Sequence, residues 1–301
     1  MSHRILAVGS VALDSVETPF GKAKQVLGGS ATFFGASARF FSPVSLVAVV
    51  GQDFPKKYLR KIQQLGINTQ GIQIQKGKTF RWKGFYDYDL NTAKTLKTEL
   101  NVFQSFKPKI SSSDRQSRFV FLANIDPDLQ WFVLNQMKRP RFVACDTMNY
   151  WIENKKASLL RLIRHADIFL CNDSEARQLS SEYNLLKAGR WILERGPKLL
   201  VIKKGEHGVI CFSKKFLFLA PAYLLEKVFD PTGAGDSFAG GFIGYLTRAP
   251  RLNEQVVRRA VVYGSVLASY SVESFSISRV AALRLADIQR RYEQFKKITR
   301  F

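Results

Sequence analysis

The chain is poor in the residues that build disulfide bridges and metal centres. Its 301 residues include only three cysteines and three histidines, without a CxxC pair. They are Cys145, Cys171 and Cys211, and His3, His165 and His207. An odd number of widely spaced cysteines, each in or beside an apolar run, argues against a disulfide framework and indicates buried free thiols in a reducing compartment. So few scattered histidines argue against a histidine-based metal site.

Long apolar runs are also missing. No stretch approaches the roughly 20 apolar residues that cross a bilayer. The N-terminal residues Met1 to Arg4 lead directly into the apolar run Ile5–Val8. This run is too short for the core of a secretory signal, and no small-residue cleavage site follows it. We therefore expect a cytoplasmic protein without a membrane segment.

Acidic residues are scarce relative to basic ones. There are 24 Asp and Glu residues against 46 Lys and Arg residues, a formal net charge of +22. Such an excess attracts polyanions of every kind, including nucleotides, phosphorylated metabolites and nucleic acid. The basic residues are spread along the chain, and no zinc-finger or aromatic RNA-binding pattern accompanies them. The charge therefore predicts a solvated basic surface without specific nucleic-acid recognition.

What the chain does have is a regular alternation of apolar and amphipathic segments, with a hydrophobic content of 46%. The apolar runs predict strands at Ile5–Val8, Ser45–Val50, Phe119–Ala123, Phe142–Cys145, Ile168–Cys171, Leu199–Ile202 and Val209–Phe212. The amphipathic segments predict helices at Ser30–Phe41, Pro55–Leu65, Asp128–Lys138, Lys155–His165, Ser174–Ser180, Leu185–Glu194, Ser237–Thr247, Asn253–Tyr270 and Ala286–Ile298. Continuous apolar strands separated by helices indicate a parallel sheet covered on both faces, an α/β fold. Ligands of such sheets bind at the carboxyl ends of the strands.

One region departs from this alternation. Residues Thr79–Phe103 interleave polar residues with aromatic and β-branched ones, and Asp89-Leu90-Asn91 supplies turn chemistry in the middle. The pattern predicts a hairpin with one sheltered face and one exposed face. We expect it to pair with the stretch 11–26 and to form a small lid, built from residues 11–26 and 79–103, on a single domain spanning residues 1–301.

The most informative stretch is Asp230-Pro231-Thr232-Gly233-Ala234-Gly235-Asp236, which precedes an apolar helical pattern. Two glycines separated by one alanine allow backbone amides to converge at a helix N-terminus, where they form an anion site. A carboxylate directly after such a site repels the anion. Its presence is explained if Asp236 accepts the proton of a hydroxyl that attacks a phosphoryl group held by the amides. The alternative is a glycine-rich turn in which Asp236 only complements the helix dipole.

Three weaker motifs accompany this one. Gly28-Gly29-Ser30 precedes a helix and Asp14 follows the first strand, so this stretch is either a plain loop or a place where the backbone approaches a ligand whose hydroxyls Asp14 binds. Asn172-Asp173-Ser174-Glu175 follows a strand, and it fits either a capping box or an amide and carboxylate that order Mg²⁺ and its waters around phosphates. Val201-Ile202-Lys203-Lys204-Gly205-Glu206-His207-Gly208 joins two strands, either as a plain hairpin or as the wall of a nucleotide site with lysines near phosphate.

The order of these four motifs resembles the ribokinase-like, or PfkB, family of carbohydrate kinases, and the resemblance extends over essentially the whole chain. It implies a three-layer α/β/α fold with a mostly parallel central sheet and a small β-sheet lid. It also implies ATP and Mg²⁺ as cofactors and transfer of the γ-phosphoryl group to an alcohol.

The resemblance implies a role for each matching residue. Asp236 would be the general base, with Gly233, Ala234 and Gly235 as its anion hole. On the nucleotide side the matching residues are Asn172, Glu175, Lys204, Gly205, Gly208, Gly264 and Ser265, with Glu175 holding Mg²⁺ through water. On the substrate side they are Asp14, Gly28 and Gly29.

The acceptor is less well defined. Phe33 stands where many sugar kinases of the family carry an asparagine that contacts the sugar. On the lid, Trp82 offers a stacking surface and Arg81 offers a fork of hydrogen-bond donors. Alternatively, Trp82 only packs within the lid sheet and Arg81 is a solvated surface residue.

We expect a small sugar or polyol as acceptor, with a nucleoside as the alternative. A non-catalytic, basic nucleic-acid-associated protein on a kinase scaffold is the alternative from another class. The lid is the surface expected to carry any homodimer contact.

Overall fold

The computed structural model describes residues 4–300. Residues 1–3, which belong to the N-terminal stretch used to predict that there is no secretory signal, lie outside the described part. In chain order the strands are β1 Ile5–Val8, β2 Ala12–Thr18, β3 Gly21–Gly28, β4 Val44–Gly51, β5 Asn68–Gln75, β6 Arg81–Tyr86, β7 Ala93–Glu99, β8 Phe119–Leu122, β9 Phe142–Asp146, β10 Ile168–Asn172, β11 Leu199–Lys203, β12 Val209–Ser213 and β13 Leu217–Ala220. The helices are α1 Ser30–Ala38, α2 Lys56–Gln64, α3 Pro127–Leu134, α4 Asn149–Asn154, α5 Lys156–Ile163, α6 Asp173–Ser180, α7 Leu185–Leu193, α8 Ala234–Thr247, α9 Glu254–Ser271, α10 Ser278–Ala282 and α11 Leu285–Ile298.

Nine strands form the central sheet in the order β13-β12-β11-β10-β9-β8-β1-β4-β5. The seven consecutive strands from β11 to β5 in this order run parallel to one another, and β12 and β13 add an antiparallel edge. Successive residues of β1 enter different cores. Ile5 and Ala7 pack in the core with α1, α8 and α9, whereas Leu6 and Val8 pack in the core with α5, α6 and α7. Such burial on both faces requires strands that are apolar at every position. The three-layer α/β/α architecture is therefore confirmed.

The remaining four strands form the lid sheet, in the order β3-β2-β6-β7. Strands β2 and β3 are antiparallel, as are β6 and β7, while β2 and β6 run parallel. Parallel pairing of β2 and β6 requires a long excursion, and the chain builds α1, β4, α2 and β5 of the main body between them. Leu90, in the turn between β6 and β7, has a φ of 53°, which fits the turn chemistry of Asp89-Leu90-Asn91.

All seven strands and nine helices expected from the sequence are present, with small shifts at their ends. Four elements were not predicted from the sequence: the two edge strands of the central sheet, β5 and β13, and the short helices α4 and α10. Strand β5 reads Asn-Thr-Gln-Gly-Ile-Gln-Ile-Gln and is only partly buried. As an edge strand it needs no continuous apolar run, so it gave no clear signal.

Candidate functional site

Polar side chains converge where β9, β10 and β11 end. Asp146, Asn172 and Lys203 are the last residues of these three neighbouring parallel strands. The carboxyl ends of parallel strands meet at one edge of a sheet, the usual place for a ligand site. Asp236, on the first turn of α8, faces the same group, since Asp146 and Lys203 both act on its charge.

Asp146 and Lys203 form an ion pair at the centre of this edge. The Lys203 Nζ lies 2.7 Å from the Asp146 Oδ2, and the Asp146 side chain is only 3% exposed. Burial alone lowers the pKa of Lys203, but the charges of Asp146 and Glu175 outweigh it and raise the pKa overall. Lys203 is therefore a permanent cation. Below the pair, the fully buried Gln130 donates from its Nε2 to the carbonyls of Leu122, Ala123 and Asp146, which ties the ends of β8 and β9 together.

The start of α8 presents unused backbone donors. Gly233, the N-cap, has a φ of 75°, and no side chain caps the helix. The Ala234 amide donates to the Pro231 carbonyl, while the amides of Gly233, Gly235 and Asp236 have no acceptor within residues 4–300. Free amides at a helix N-terminus attract anions. A Cβ on Gly235 would lie 3.3 Å from the Lys203 Nζ, so the lysine adds its charge to the amide site. Of the three residues expected to form the anion hole, Gly233 and Gly235 offer a free amide and Ala234 does not.

Asp236 is the third residue of α8 and is partly buried. Burial raises its pKa to about 7, the Asp146 charge adds to the rise, and Lys203 opposes it. A carboxylate with a pKa near neutrality can accept a proton from a hydroxyl and later release it, as a general base must.

Asn172 and Glu175 form a capping box, one of the two interpretations that the sequence left open. The Asn172 Oδ1 accepts from the Glu175 amide, and the Glu175 Oε2 accepts from the Asn172 amide, both at 2.7 Å. Burial raises the pKa of Glu175 to about 8, which Lys203 partly counters. The cap therefore holds a buried carboxylate beside the Asp146–Lys203 pair, so the capping role and a role at the site are compatible.

The substrate side predicted from the sequence comes together where the start of β2 pairs with the end of β3. Asp14 is 6% exposed, and its Oδ2 accepts from the Gly29 amide at 3.3 Å. Gly28 has no side chain because a Cβ there would overlap the Asp14 carboxylate. Burial raises the pKa of Asp14 to about 7, against the Gly29 hydrogen bond, and the charges of Asp230 and Asp236 add to the rise. Asp14 therefore lies near enough to Asp236 for the two charges to interact.

Phe33 lies in α1 and is almost fully buried. Its ring packs against Gly233, where a Cβ would lie 2.3 Å from the ring. The ring therefore supports the N-cap of α8 from below, and it leaves no polar group at the position where other family members carry an amide.

The lid sheet separates Trp82 from Arg81. Trp82 is the register partner of Asp14, so both side chains leave the same face of the sheet. The indole lies across Gly84, and its Nε1 donates to the Thr95 Oγ1 at 3.2 Å. Arg81 leaves the opposite face and pairs with Asp53 at 2.8 Å. The structure thus brings Trp82 to the Asp14 side and ties Arg81 down elsewhere.

Five of the nucleotide-side residues lie outside the polar cluster. Gly205 and Gly208 shape the turn between β11 and β12, with φ angles of 55° and 84°, and the Lys204 amide donates to the Gly208 carbonyl. Within α9, a Cβ on Gly264 would lie 2.9 Å from the Phe238 ring, and Ser265 donates to the carbonyl of Val261. Lys204 also belongs to the turn, because it is Lys203 whose side chain enters the cluster.

The lid sheet is docked onto the main body at several points. Thr18, at the end of β2, donates to the Phe229 carbonyl at 2.9 Å, and the Thr232 Oγ1 donates to the Tyr86 hydroxyl at 3.3 Å. At the hairpin tip, the Asn91 Nδ2 donates to the Glu206 Oε1 at 2.8 Å. The hairpin β6–β7 therefore bridges from the loop before α8 to the turn between β11 and β12, a closed arrangement of the lid.

The sequence did not predict Asp146, Gln130 or Tyr86 at the site, and of two adjacent lysines it assigned Lys204 rather than Lys203. A signal existed for Asp146 and Lys203, since each is a charged residue at the end of an apolar strand, the position at which ligand sites form in this type of sheet. Gln130 and Tyr86 gave none, because only tertiary packing shows what they touch.

Comparisons with known proteins agree with this geometry. Residues 3–280 match the pfkB family of carbohydrate kinases. This chain belongs to the pfkB family. Its members transfer a phosphoryl group to hydroxyls of sugars and nucleosides, so the protein is a kinase with an alcohol acceptor.

Among relatives, a cytidine kinase of Thermococcus kodakarensis is 30% identical over 84% of this chain and 91% of its own length. A nucleoside kinase of Methanocaldococcus jannaschii is 25% identical over 90% of this chain and 91% of its own length. The structure of an Escherichia coli protein described as a putative ribokinase II, in complex with ATP and Mg²⁺, superposes with a TM-score of 0.79 at 16% identity. It covers 98% of this pfkB chain and 99% of its own. No helix within residues 4–300 is long and apolar enough to span a membrane.

Proposed function

We propose that this pfkB protein is an ATP- and Mg²⁺-dependent nucleoside kinase, in which Asp236 is the general base for phosphoryl transfer to a nucleoside hydroxyl. The observation that carries the proposal is the position of Asp236. Its carboxylate, with a pKa of about 7, stands directly beside free helix amides and the Lys203 ammonium. A base and an anion site side by side are what transfer of a phosphoryl group to a hydroxyl requires.

Each side chain of the site then has a task. Asp236 accepts the proton of the attacking hydroxyl. The amides of Gly235 and Asp236 and the Lys203 ammonium stabilise the negative charge of the transferring group. Asp146 holds Lys203 in place, and Gln130 holds the strand end that carries Asp146. The closed lid excludes water, which would otherwise compete with the acceptor.

The residues present fit a nucleotide with its metal. Free amides and a buried ammonium suit phosphate oxygens, and the Glu175 carboxylate beside them suits water molecules of a hydrated Mg²⁺. ATP bound with Mg²⁺ would supply the phosphoryl group and neutralise part of its charge. We place the nucleotide on the β11–β12 side, where Gly205 and Gly208 form the turn, and assign Lys204, Gly264 and Ser265 a supporting role there.

Two features favour a nucleoside over a small sugar. The relative with 30% identity is described as a cytidine kinase. On the lid, the Trp82 indole is held flat by Thr95 and by the missing side chain of Gly84, so a planar aromatic surface is already in place. Such a surface stacks on a nucleobase at a small entropic cost. Asp14, on the same face, accepts hydroxyls of the ribose.

A coupled ADP-release assay against a panel of sugars, polyols and nucleosides tests the proposal. We expect a nucleoside to give the highest kcat/KM, with Trp82→Ala lowering it for nucleosides more than for free ribose. A sugar or polyol preferred over every nucleoside by a hundredfold would replace the nucleoside with the acceptor class first expected from the sequence. Turnover of no acceptor, together with salt-dependent DNA binding, would leave only the scaffold-protein alternative.

A further inference from the structure

Tyr86 is the last residue of β6 and the point where the lid meets the loop before α8. Its side chain leaves β6 on the same face as Trp82 and Gly84, four and two residues earlier, and therefore on the face of Asp14. The residue is only 7% exposed. Its hydroxyl reaches Thr232, within the motif that ends in Asp236.

The contact with Thr232 leaves the proton of Tyr86 unused. In that hydrogen bond the Thr232 Oγ1 is the donor and the Tyr86 oxygen is the acceptor. Burial raises the pKa of Tyr86 above its usual value, and the nearby charges of Asp230, Asp14 and Asp236 add to the rise. The phenol therefore stays protonated and keeps one O–H donor available.

The site has need of such a donor. Asp14 and Asp236, when ionised, only accept hydrogen bonds, so each holds a hydroxyl through its proton. Neither carboxylate can donate a hydrogen bond to a ligand oxygen that has no proton, or whose proton is already used in another hydrogen bond. Tyr86 lies close enough to both carboxylates for their charges to affect it. The Tyr86 hydroxyl also connects the two elements that carry them, because it extends from the Asp14 face of the lid to the Thr232 Oγ1, 3.3 Å away in the motif that ends at Asp236.

We propose that Tyr86 is a specificity-determining residue whose hydroxyl donates a hydrogen bond to an acceptor oxygen lying between the hydroxyls held by Asp14 and the one facing Asp236. The inference rests on the proposed function, since it assumes an acceptor between these two carboxylates. In a ribonucleoside, the oxygen in that intermediate position is a ring oxygen or a ribose hydroxyl. Thr232 fixes the direction of the phenol by donating to it.

The test compares Tyr86→Phe with wild type on the best nucleoside of the panel, its monodeoxy analogues and its carbocyclic analogue. Tyr88→Phe is the matched control, because Tyr88 lies two residues further on the same hairpin and is largely exposed. We expect Tyr86→Phe to lower kcat/KM on the full nucleoside about tenfold, the effect of one lost hydrogen bond. Tyr88→Phe should equal wild type.

The analogues identify the contact. For the analogue that lacks the oxygen bound by Tyr86, wild type and Tyr86→Phe should have the same kcat/KM, while the remaining analogues keep the tenfold difference. An equal loss on every analogue, or no loss on any, would overturn the proposal and leave Tyr86 a packing residue of the lid. The contact is identified by how the ratio of wild type to variant differs between analogues, so a smaller folded fraction of the variant, which changes every ratio by the same factor, cannot imitate it. Turnover by wild type tests the proposed function separately.

Discussion

The carboxyl edge of the central sheet and the lid sheet treat their polar residues in opposite ways. At the edge, Asp146 is buried and pairs with the partly buried Lys203, at the ends of strands that are buried on both faces. In the lid, β7 is exposed at every position except Glu99, and its charges, such as Lys94 and Lys97, pair at the surface. One region keeps its charges fixed in a packed body, and the other lies over it through a few hydrogen bonds.

The difference indicates a division of work. Groups that act on the phosphoryl group need a geometry that the surrounding packing fixes, which the edge provides. Groups that choose the acceptor need a surface that opens to admit it, which the lid provides with few buried contacts of its own. Substitutions at the edge should therefore lower kcat, whereas substitutions on the inner face of the lid should change KM and the ranking of acceptors.

The largest effect is expected at the edge, from Asp236→Asn. Loss of the base should lower kcat by about 10²–10⁴, the usual contribution of general base catalysis. Nucleotide affinity should stay within a few-fold, since the free amides remain. Initial rates of ADP release and nucleotide titration measure the two quantities. A variant with activity within threefold of wild type would remove Asp236 from the mechanism.

Lys203→Met should be the next largest. Removal of one preorganised electrostatic group usually costs about 10²–10³ in kcat. It also leaves Asp146 buried without its partner, so the melting temperature should fall. The double variant Asp146→Asn/Lys203→Met separates the two effects, because it restores stability without the ammonium. Recovery of activity along with stability would show that Lys203 is only structural.

A pH profile should show the raised pKa values of the edge. Asp236 must be ionised to act as a base, so log kcat/KM should fall with unit slope below about pH 7, the pKa that burial imposes. Stability should change in the opposite sense. A carboxyl whose folded pKa lies above its unfolded value stabilises the fold at low pH and loses this contribution as pH rises through the folded pKa. The free enzyme should therefore lose stability between about pH 4 and pH 8, where Asp14, Asp236 and Glu175 ionise. A flat rate profile down to pH 5 would contradict the assignment of the base.

The smallest effect is expected on the outer face of the lid. Arg81→Gln breaks a partly exposed ion pair with Asp53, so it should cost at most about 1 kcal/mol of stability. Because Arg81 points away from Asp14, kcat/KM should stay within about threefold of wild type for every acceptor. Trp82→Ala, one residue further on the inner face, should raise the KM for the acceptor instead. A changed acceptor ranking in Arg81→Gln would show that the two faces are not separated as described.

The pair Arg81 and Trp82 also shows how far sequence reasoning extends. The apolar runs predicted the central strands and most helices because burial on both faces requires them. The glycine motif before α8 predicted where Asp236 would stand. What the sequence left open was orientation. Lys203 and Lys204 are adjacent and chemically alike, and only the end of β11 decides which side chain enters the cluster.

The direction of these side chains could not be predicted from the sequence, for a physical reason. Adjacent residues of a strand point to opposite sides, so a shift of one residue in register exchanges their roles. The motif indicated a lysine near phosphate but not which one, and the lid hairpin indicated a donor and a ring but not which faced the site. Edge strand β5 escaped for a different reason, since a strand with polar residues along much of its length carries little hydrophobic pattern.

The contact between Asn91 and Glu206 has a thermodynamic consequence. It joins the tip of the lid hairpin to the turn between β11 and β12. In the proposed arrangement, the acceptor and the nucleotide would therefore bind to parts of the protein that touch. Coupling between binding sites is reciprocal: whatever factor one ligand adds to the affinity of the other, it receives in return. A nucleotide that favours this contact would tighten acceptor binding, and the acceptor would retain the nucleotide to the same degree. Loss of the Asn91 amide would reduce, by one common factor, the gain in affinity that each ligand confers on the other.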